Sequence, residues 1–376
     1  MQNIKYDIAI VGGGIVGLST AYKIQKKYPK LNLIILEKEK ELAFHQTGRN
    51  SGVIHSGLYY TPGSSRAKNC VDGRIQLVEF AKKYDIKHDI CGKIVLAVNQ
   101  KESEQLIVLK QKGQINGLTN LEIIDMKQVK ELEPYAEGVA ALFVPQSGII
   151  DYKGVTNKLA ELIKEINPES TIETNCEVLN IEDEKLFSTK GTINASHSIF
   201  CGGLFSDRLA IKDSLKLKMK IVGFRGDYYE LEDTSKYKVK NLIYPVPNPE
   251  FPFLGIHFTR MTDGSIECGP NAVFTFKREG YKKTDFNLKD SWDALTFSGT
   301  WKLFINHWKF GLNEYRRAFS KRLFLKELKK MIPSLTMEEI KIGRSGVRAM
   351  ALGNDGKVIE DFMIVKNDKN IHILNA

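Results

Sequence analysis

Residues 11–38 read VGGGIVGLSTAYKIQKKYPKLNLIILEK, and the apolar run KYDIAI of residues 5–10 leads into them. KYDIAIV has the unbroken apolar, β-branched character of a strand buried on both faces, and it stops at the glycines. From Gly14 to Tyr28 the pattern changes period, with Ile15, Leu18, Tyr22 and Gln25 falling at helical spacing before Pro29 closes the segment. LNLIILEK is a second buried strand. Strand, glycine turn, helix and strand in direct succession form a βαβ unit, whose crossover requires the two strands to run parallel.

The glycines give that unit a ligand. Gly12 suits the tight strand-to-helix turn, Gly14 lets a pyrophosphate approach the backbone, and Gly17 lets helix and strand pack closely. Ile15 and Val16 open the helix, whose N-terminal amides and partial positive charge favour a diphosphate. Glu37, flanked by Lys38, ends the second strand 20 residues after Gly17. A carboxylate at that position accepts hydrogen bonds from an adenosine ribose and repels a 2′-phosphate, which disfavours NADP. The unit alone leaves FAD and NAD both open, with the extreme N-terminal position leaning toward FAD.

The rest of the composition narrows the class. With 376 residues, 42% of them hydrophobic, the chain is long enough for two packed domains and too apolar to be disordered. Five scattered cysteines, with no CxxC pair and no Cys/His cluster, argue against a disulfide framework or a zinc site and fit a reducing compartment. No apolar run reaches bilayer length, and a strand starting by Ile4 leaves no room for a targeting peptide. The expectation is a cytoplasmic protein without a bound metal.

Further along, residues 66–85 and 155–166 read as helices. VTNKLAELIKEI places Val155, Leu159, Leu162, Ile163 and Ile166 on one face. IVLAV, CEVLNIE and SHSIFCGG read as strands. From Phe224 to Phe274 strands alternate with Pro/Gly turns, which indicates an antiparallel sheet. The expected fold class is α/β: a Rossmann-like dinucleotide-binding domain (1–90, 145–215 and 338–376) interrupted by an antiparallel-sheet α+β substrate domain (91–144 and 216–337), the first becoming an FAD-binding domain by the resemblance that follows.

The turn-rich stretch HQTGRNSGVIHSGLYYTPGS (45–64) carries a resemblance. Together with GGGIVG, FRGDY, PFLGIHFTR, GPNAVFTFKREGY and SGVRA, it resembles the L-2-hydroxyglutarate oxidase/dehydrogenase family, FAD-dependent members of the D-amino-acid-oxidase-like superfamily. The similarity runs from the first strand to the last residues. It implies oxidation of L-2-hydroxyglutarate to 2-oxoglutarate by hydride transfer from the α-carbon to flavin N5. Related chemistry on glycerol 3-phosphate or an amino acid stays open, as does a flavin-binding protein without turnover. Family members continue past IHILNA through a Pro/Ala/Ser-rich turn into a flavin-contacting helix, so part of the cofactor cradle is expected to lie outside these residues.

By the same resemblance, Gln46, Thr47, Arg49, Asn50, Ser51 and Gly52 run along the flavin. Small and polar residues there suit close approach to a flat ring and hydrogen bonds to ribityl hydroxyls. Arg49 stands where some members carry His, and its charge would favour reduced anionic flavin. Glu177 and Val178 bracket the adenine, and Gly202 and Gly203 form a second glycine turn near the pyrophosphate. His45 is the position for a covalent flavin link in some relatives, with non-covalent binding expected here.

A 2-hydroxy dicarboxylate needs cationic forks, which arginine supplies bidentately, and a group to take the hydroxyl proton. Arg348 and Arg225 are the expected carboxylate ligands, with Tyr60 beside the substrate. His257 and His55 are the candidate bases, unranked. His88, His197, His307 and His372 carry no motif.

The net charge of +10 has a local source: Gly299–Ile332 holds nine Lys/Arg against two Asp/Glu, with Trp301, Phe304, Ile305, Trp308 and Leu312 at helical spacing. Such a stripe either packs into a core or lies on an anionic membrane, which would place the enzyme near a quinone; oxygen is the other candidate acceptor. No nucleic-acid-binding motif accompanies the charge.

Overall fold

Lys5–Val11 is the centre of a parallel sheet, and the reason is visible in its side chains. Ile10 packs on one face with Leu18, Ala21, Leu33 and Ile35, while Ala9 and Val11 pack on the other with Ile34, Leu36 and Phe200. A strand buried on both faces has no polar side to turn to water. A computed structural model describes residues 5–247 and 255–376. Ile4 and residues 252–254 of the PFLGIHFTR string lie outside the described residues.

The parallel order is Thr171–Glu173, Leu33–Leu36, Lys5–Val11, Gly191–Phe200 and Asn370–Asn375. Val178–Glu182, Lys185–Ser188 and Met363–Asn367 add antiparallel edges. The glycine-rich helix forms over Ile15–Lys27 and packs against the helix Tyr152–Ile166. Asp151 caps the latter by accepting the Gly154 N–H (2.9 Å).

A second, larger sheet is dominated by two long antiparallel strands, Met219–Leu231 and Ile340–Gly353, paired in the register Phe224↔Arg348 and Arg225↔Val347. The sheet departs from pure antiparallel pairing at one seam, where Leu242–Pro245 runs parallel to Lys93–Ala97. Those two strands come from distant parts of the chain, so no hairpin dictates their direction. The strand Ile340–Gly353 also moves the boundary drawn at 338: it belongs to the larger sheet, and the chain rejoins the parallel sheet only at Met363–Asn367.

The basic segment forms the helices Ser298–Phe319 and Lys321–Leu328, with a break in helical backbone at His307, and the helix Leu288–Leu295 precedes it. Of its apolar stripe only Phe304 packs against the core, edge-on to Phe274. Trp301, Ile305, Trp308 and Leu312 are all more than half exposed, while Leu303 and Ala318 face inward. Trp292, the first of the chain's three tryptophans, is also exposed. Among the described residues no helix is long and apolar enough to cross a membrane.

Candidate functional site

Two clefts, of about 610 and 740 Å³, meet between the sheets, and Gln46, Asn50, Ser51 and His55 line both. The first is the glycine end. Gly12, Gly14, Ile15, Val16, Glu37, Lys38, Gln46, Thr47, Val178, Gly202 and Gly203 line it, as does Glu177. Gly12 sits at φ +119°, and a Cβ there would meet the Cys201 carbonyl. Gly17 lines neither cleft; a Cβ on it would fall 2.0 Å from the Gly12 carbonyl oxygen, so its place is close packing of helix against turn.

The Glu37 carboxylate is buried at the end of its strand, accepting the Gly13 N–H (2.7 Å) and the Glu39 N–H (2.9 Å). It therefore ties the glycine turn to the second strand. Thr47 accepts the Ile15 N–H (3.0 Å), capping a helix whose own cap residue, Gly14, has no side chain. Lys38 is bound to Glu279 (2.5 Å) and Glu39 (3.1 Å). His45 contacts Tyr281 Oη through Nδ1 (2.6 Å) and Glu39 through Nε2 (2.9 Å), so both ring nitrogens are occupied.

The loop between the clefts is held from the larger sheet. Arg344 donates to the Gly48 and Asn50 carbonyls (3.1 and 2.6 Å) and pairs with buried Glu267. Arg49 lines the second cleft with its guanidinium 4.0 Å over the Tyr281 ring. Asn50 spends its side chain inside the loop, donating to Thr47 O and accepting the Gly52 N–H, both at 2.7 Å. Gly52 lines neither cleft; its φ of +65° marks it as a turn residue.

The second cleft gathers His55, Tyr59, Tyr60, Tyr228, Tyr244, His257 and Arg348. His257 Nδ1 lies 2.9 Å from the Gly255 carbonyl. A carbonyl only accepts, so Nδ1 carries the proton and Nε2 keeps its lone pair. Burial, with the positive charges of Arg348 and Lys93 nearby, pushes the His257 pKa down to about 3. His55 is pushed down to about 4 by the protein crowded around it and by Lys93, although the residue itself is exposed. Both histidines are neutral near pH 7. Arg348 donates to the Asn271 carbonyl (3.4 Å), and burial lowers its pKa.

Arg225 does not join them. In the register Phe224↔Arg348 the cleft-facing residues are Gly226, Tyr228 and Arg348, and side-chain alternation sends Arg225 to the opposite face. There its guanidinium pairs with Asp227 (2.7 Å) and donates to the Lys282 carbonyl (2.8 Å). It is a brace of the sheet, and its expected role at the substrate is withdrawn.

Sequence reasoning missed Lys93, Tyr244 and Arg344. A lysine opening an apolar run reads as a solvated flank, yet Lys93 is only 1% exposed. Its pKa is pushed down to about 7 by burial.

The FAD dependent oxidoreductase family model matches residues 7–375. Among curated proteins, L-2-hydroxyglutarate dehydrogenase of Indibacter alkaliphilus is 43% identical, covering 99% of this chain and 94% of that protein. The human mitochondrial L-2-hydroxyglutarate dehydrogenase is 42% identical, covering 99% and 84%. Among solved structures, dithionite-reduced L-α-glycerophosphate oxidase of Mycoplasma pneumoniae with FAD bound superposes with a TM-score of 0.78 at 23% identity, covering 98% of this chain and 89% of that one. Glycine oxidase of Geobacillus kaustophilus gives 0.72 at 16% identity, covering 98% and 88%, and shares the fold. The chain thus belongs to the L-2-hydroxyglutarate dehydrogenase family of FAD dependent oxidoreductases.

Proposed function

We propose that this chain oxidises L-2-hydroxyglutarate to 2-oxoglutarate with FAD, and that His257 is the base. The observation that carries this reading is the fixed tautomer of His257 in a cleft shared with Arg348 and continuous with the glycine end. The residues present fit FAD. The turn at Gly12 has no room for a side chain, Gly14 leaves open space beside Thr47, Glu37 stands at the ribose position, and Gly202 with Gly203 completes the diphosphate cradle. Gln46, Thr47, Arg49 and Ser51 continue along the flavin, with Asn50 and Gly52 shaping the loop. When bound, FAD supplies the acceptor for the electron pair of the substrate's α C–H bond.

The protein's own contribution is binding, aim and proton transfer. Arg348 holds the carboxylate next to the reacting carbon, where its planar fork fixes orientation. His257 Nε2 takes the hydroxyl proton as the carbonyl forms. A neutral histidine amid positive charges is a weak base when the site is empty, and an arriving carboxylate raises its proton affinity. Tyr60 and His55 shape the wall beside the substrate.

Turnover of a substrate panel by the purified flavoprotein tests this. L-2-hydroxyglutarate is expected to exceed glycerol 3-phosphate, glycine and D-2-hydroxyglutarate; preferred turnover of any of these overturns it.

The exposed Trp301, Ile305, Trp308 and Leu312 among lysines and arginines support a second element of the reading: contact with an anionic membrane face, with a quinone rather than oxygen as acceptor. Sedimentation with anionic vesicles, lost in Trp301→Ala/Trp308→Ala, is the expected result, and equal recovery without vesicles refutes it.

A further inference from the structure

Lys93 opens the strand Lys93–Ala97, every residue of which is buried. Its ammonium lies 4.5 Å over the Tyr59 ring and 4.8 Å over the Tyr244 ring. Among the described residues its electrostatic neighbours are Cys70, His55 and His257, with Arg74 beyond Cys70, and none of these is a carboxylate. Aromatic faces offset only part of what burying a charge costs. Both tyrosines line the substrate cleft. Their hydroxyls are buried without a well-formed hydrogen bond among the described residues, Tyr244 having Ser51 and Thr259 as polar neighbours. A buried cation thus lies against the ring faces of two tyrosines of the cleft wall, and among the described residues no carboxylate answers its charge.

The cluster also stands at a useful distance from the reacting end. The Tyr244 ring stacks on His257 with centroids 4.0 Å apart. In an extended five-carbon 2-hydroxy diacid the distal carboxyl carbon is roughly 4 Å from the carbinol carbon. With Arg225 committed to Asp227, the second carboxylate needs a different cation.

We propose that Tyr59, Lys93 and Tyr244 form the subsite for the distal carboxylate, the tyrosine hydroxyls donating to it and Lys93 supplying the charge, and that this subsite selects a diacid over a monoacid. The inference rests on the reading above that a 2-hydroxy dicarboxylate occupies this cleft. The lowered proton affinity of the empty-site lysine is consistent with a cation completed by its ligand.

Two inert ligands test it. The holoenzyme is titrated with glutarate and with butyrate, following the flavin absorbance. Wild type is expected to bind glutarate at least about tenfold more tightly than butyrate. Lys93→Met, which removes a buried charge and keeps the volume, is expected to bring the two affinities together while leaving butyrate within about twofold of wild type. Tyr59→Phe removes a single hydroxyl and is expected to lose part of the preference, which guards against a folding defect in the lysine variant. A preference retained in both variants overturns the subsite, and so does an equal loss of both ligands in both variants. Wild type that prefers glutarate yet does not oxidise L-2-hydroxyglutarate overturns the functional reading and leaves the diacid subsite standing.

Discussion

The two ends of the long cleft are built on different principles. At the glycine end the wall is backbone: a turn at Gly12, with the Gly13 amide held by buried Glu37 and the Ile15 amide capped by Thr47. At the other end the contacts come from side chains on the loop at 55–60 and on strands of the larger sheet, with His257 and Arg348 contributed by segments far apart in sequence. A backbone site depends on which residues are absent, namely side chains. A side-chain site depends on which residues meet. The first should therefore fail all at once when a single atom is added, and the second should fail function by function.

Gly17→Val tests that contrast most severely. A Cβ 2.0 Å from the Gly12 oxygen has no room, so the variant is expected to purify colourless and to melt well below wild type, losing several kcal/mol by the scale of overpacked cores. A yellow Gly17→Val protein with unchanged melting would break the comparison. His257→Ala should behave oppositely: full flavin content, near-normal melting, and kcat reduced about 10³-fold. Arg348→Lys keeps the charge and loses the fork, so kcat/KM should fall about 10²-fold with KM carrying much of it.

Smaller effects sharpen the difference. Glu37→Gln keeps one accepting oxygen of the two now used, and FAD affinity should weaken about tenfold with kcat unchanged at saturating FAD. The pH response separates the ends further. With His257 and His55 held at about 3 and about 4, their titration leaves kcat/KM flat through neutrality, the loss coming only as pH falls toward those values. Stability follows the same sign. The folded His257 pKa lies below the ordinary 6.5, so its neutral form is fully favourable above about 6.5. Below that the unfolded chain takes up a proton the native state refuses, and melting temperature should drop as pH falls toward about 3. An acidic limb centred near 6.5 in kcat/KM would remove His257 as a desolvated base.

This contrast also explains what could be read before any fold was known. Gly12, Gly14, Gly17 and Glu37 are legible because their geometry is local: turn, helix and acid lie within one βαβ unit, and spacing fixes position. His257 and Arg348 were reachable only through strings that resemble a family, since no periodicity reveals which face of a distant strand meets a cleft. Arg225 shows the limit of that route. It lies in the expected FRGDY strand, and a shift of one residue along the alternation carries it from the cleft to an ion pair. Lys93 illustrates the other failure, because a charged residue at the head of an apolar run looks like solvent-facing punctuation until burial is known. The tryptophan stripe could be read as core or surface from spacing alone, and only the packing of Leu303 and Ala318 inward decided it.

The central claim is that the side-chain end converts one specific diacid while the backbone end merely holds the cofactor. Anaerobic mixing of the holoprotein with L-2-hydroxyglutarate tests it most directly, with the yellow flavin band followed in wild type and in His257→Ala. Rapid bleaching in wild type, with slow bleaching in a variant of equal flavin content, is the expected result. A wild-type band that stays yellow, or a variant that bleaches just as fast, would contradict it.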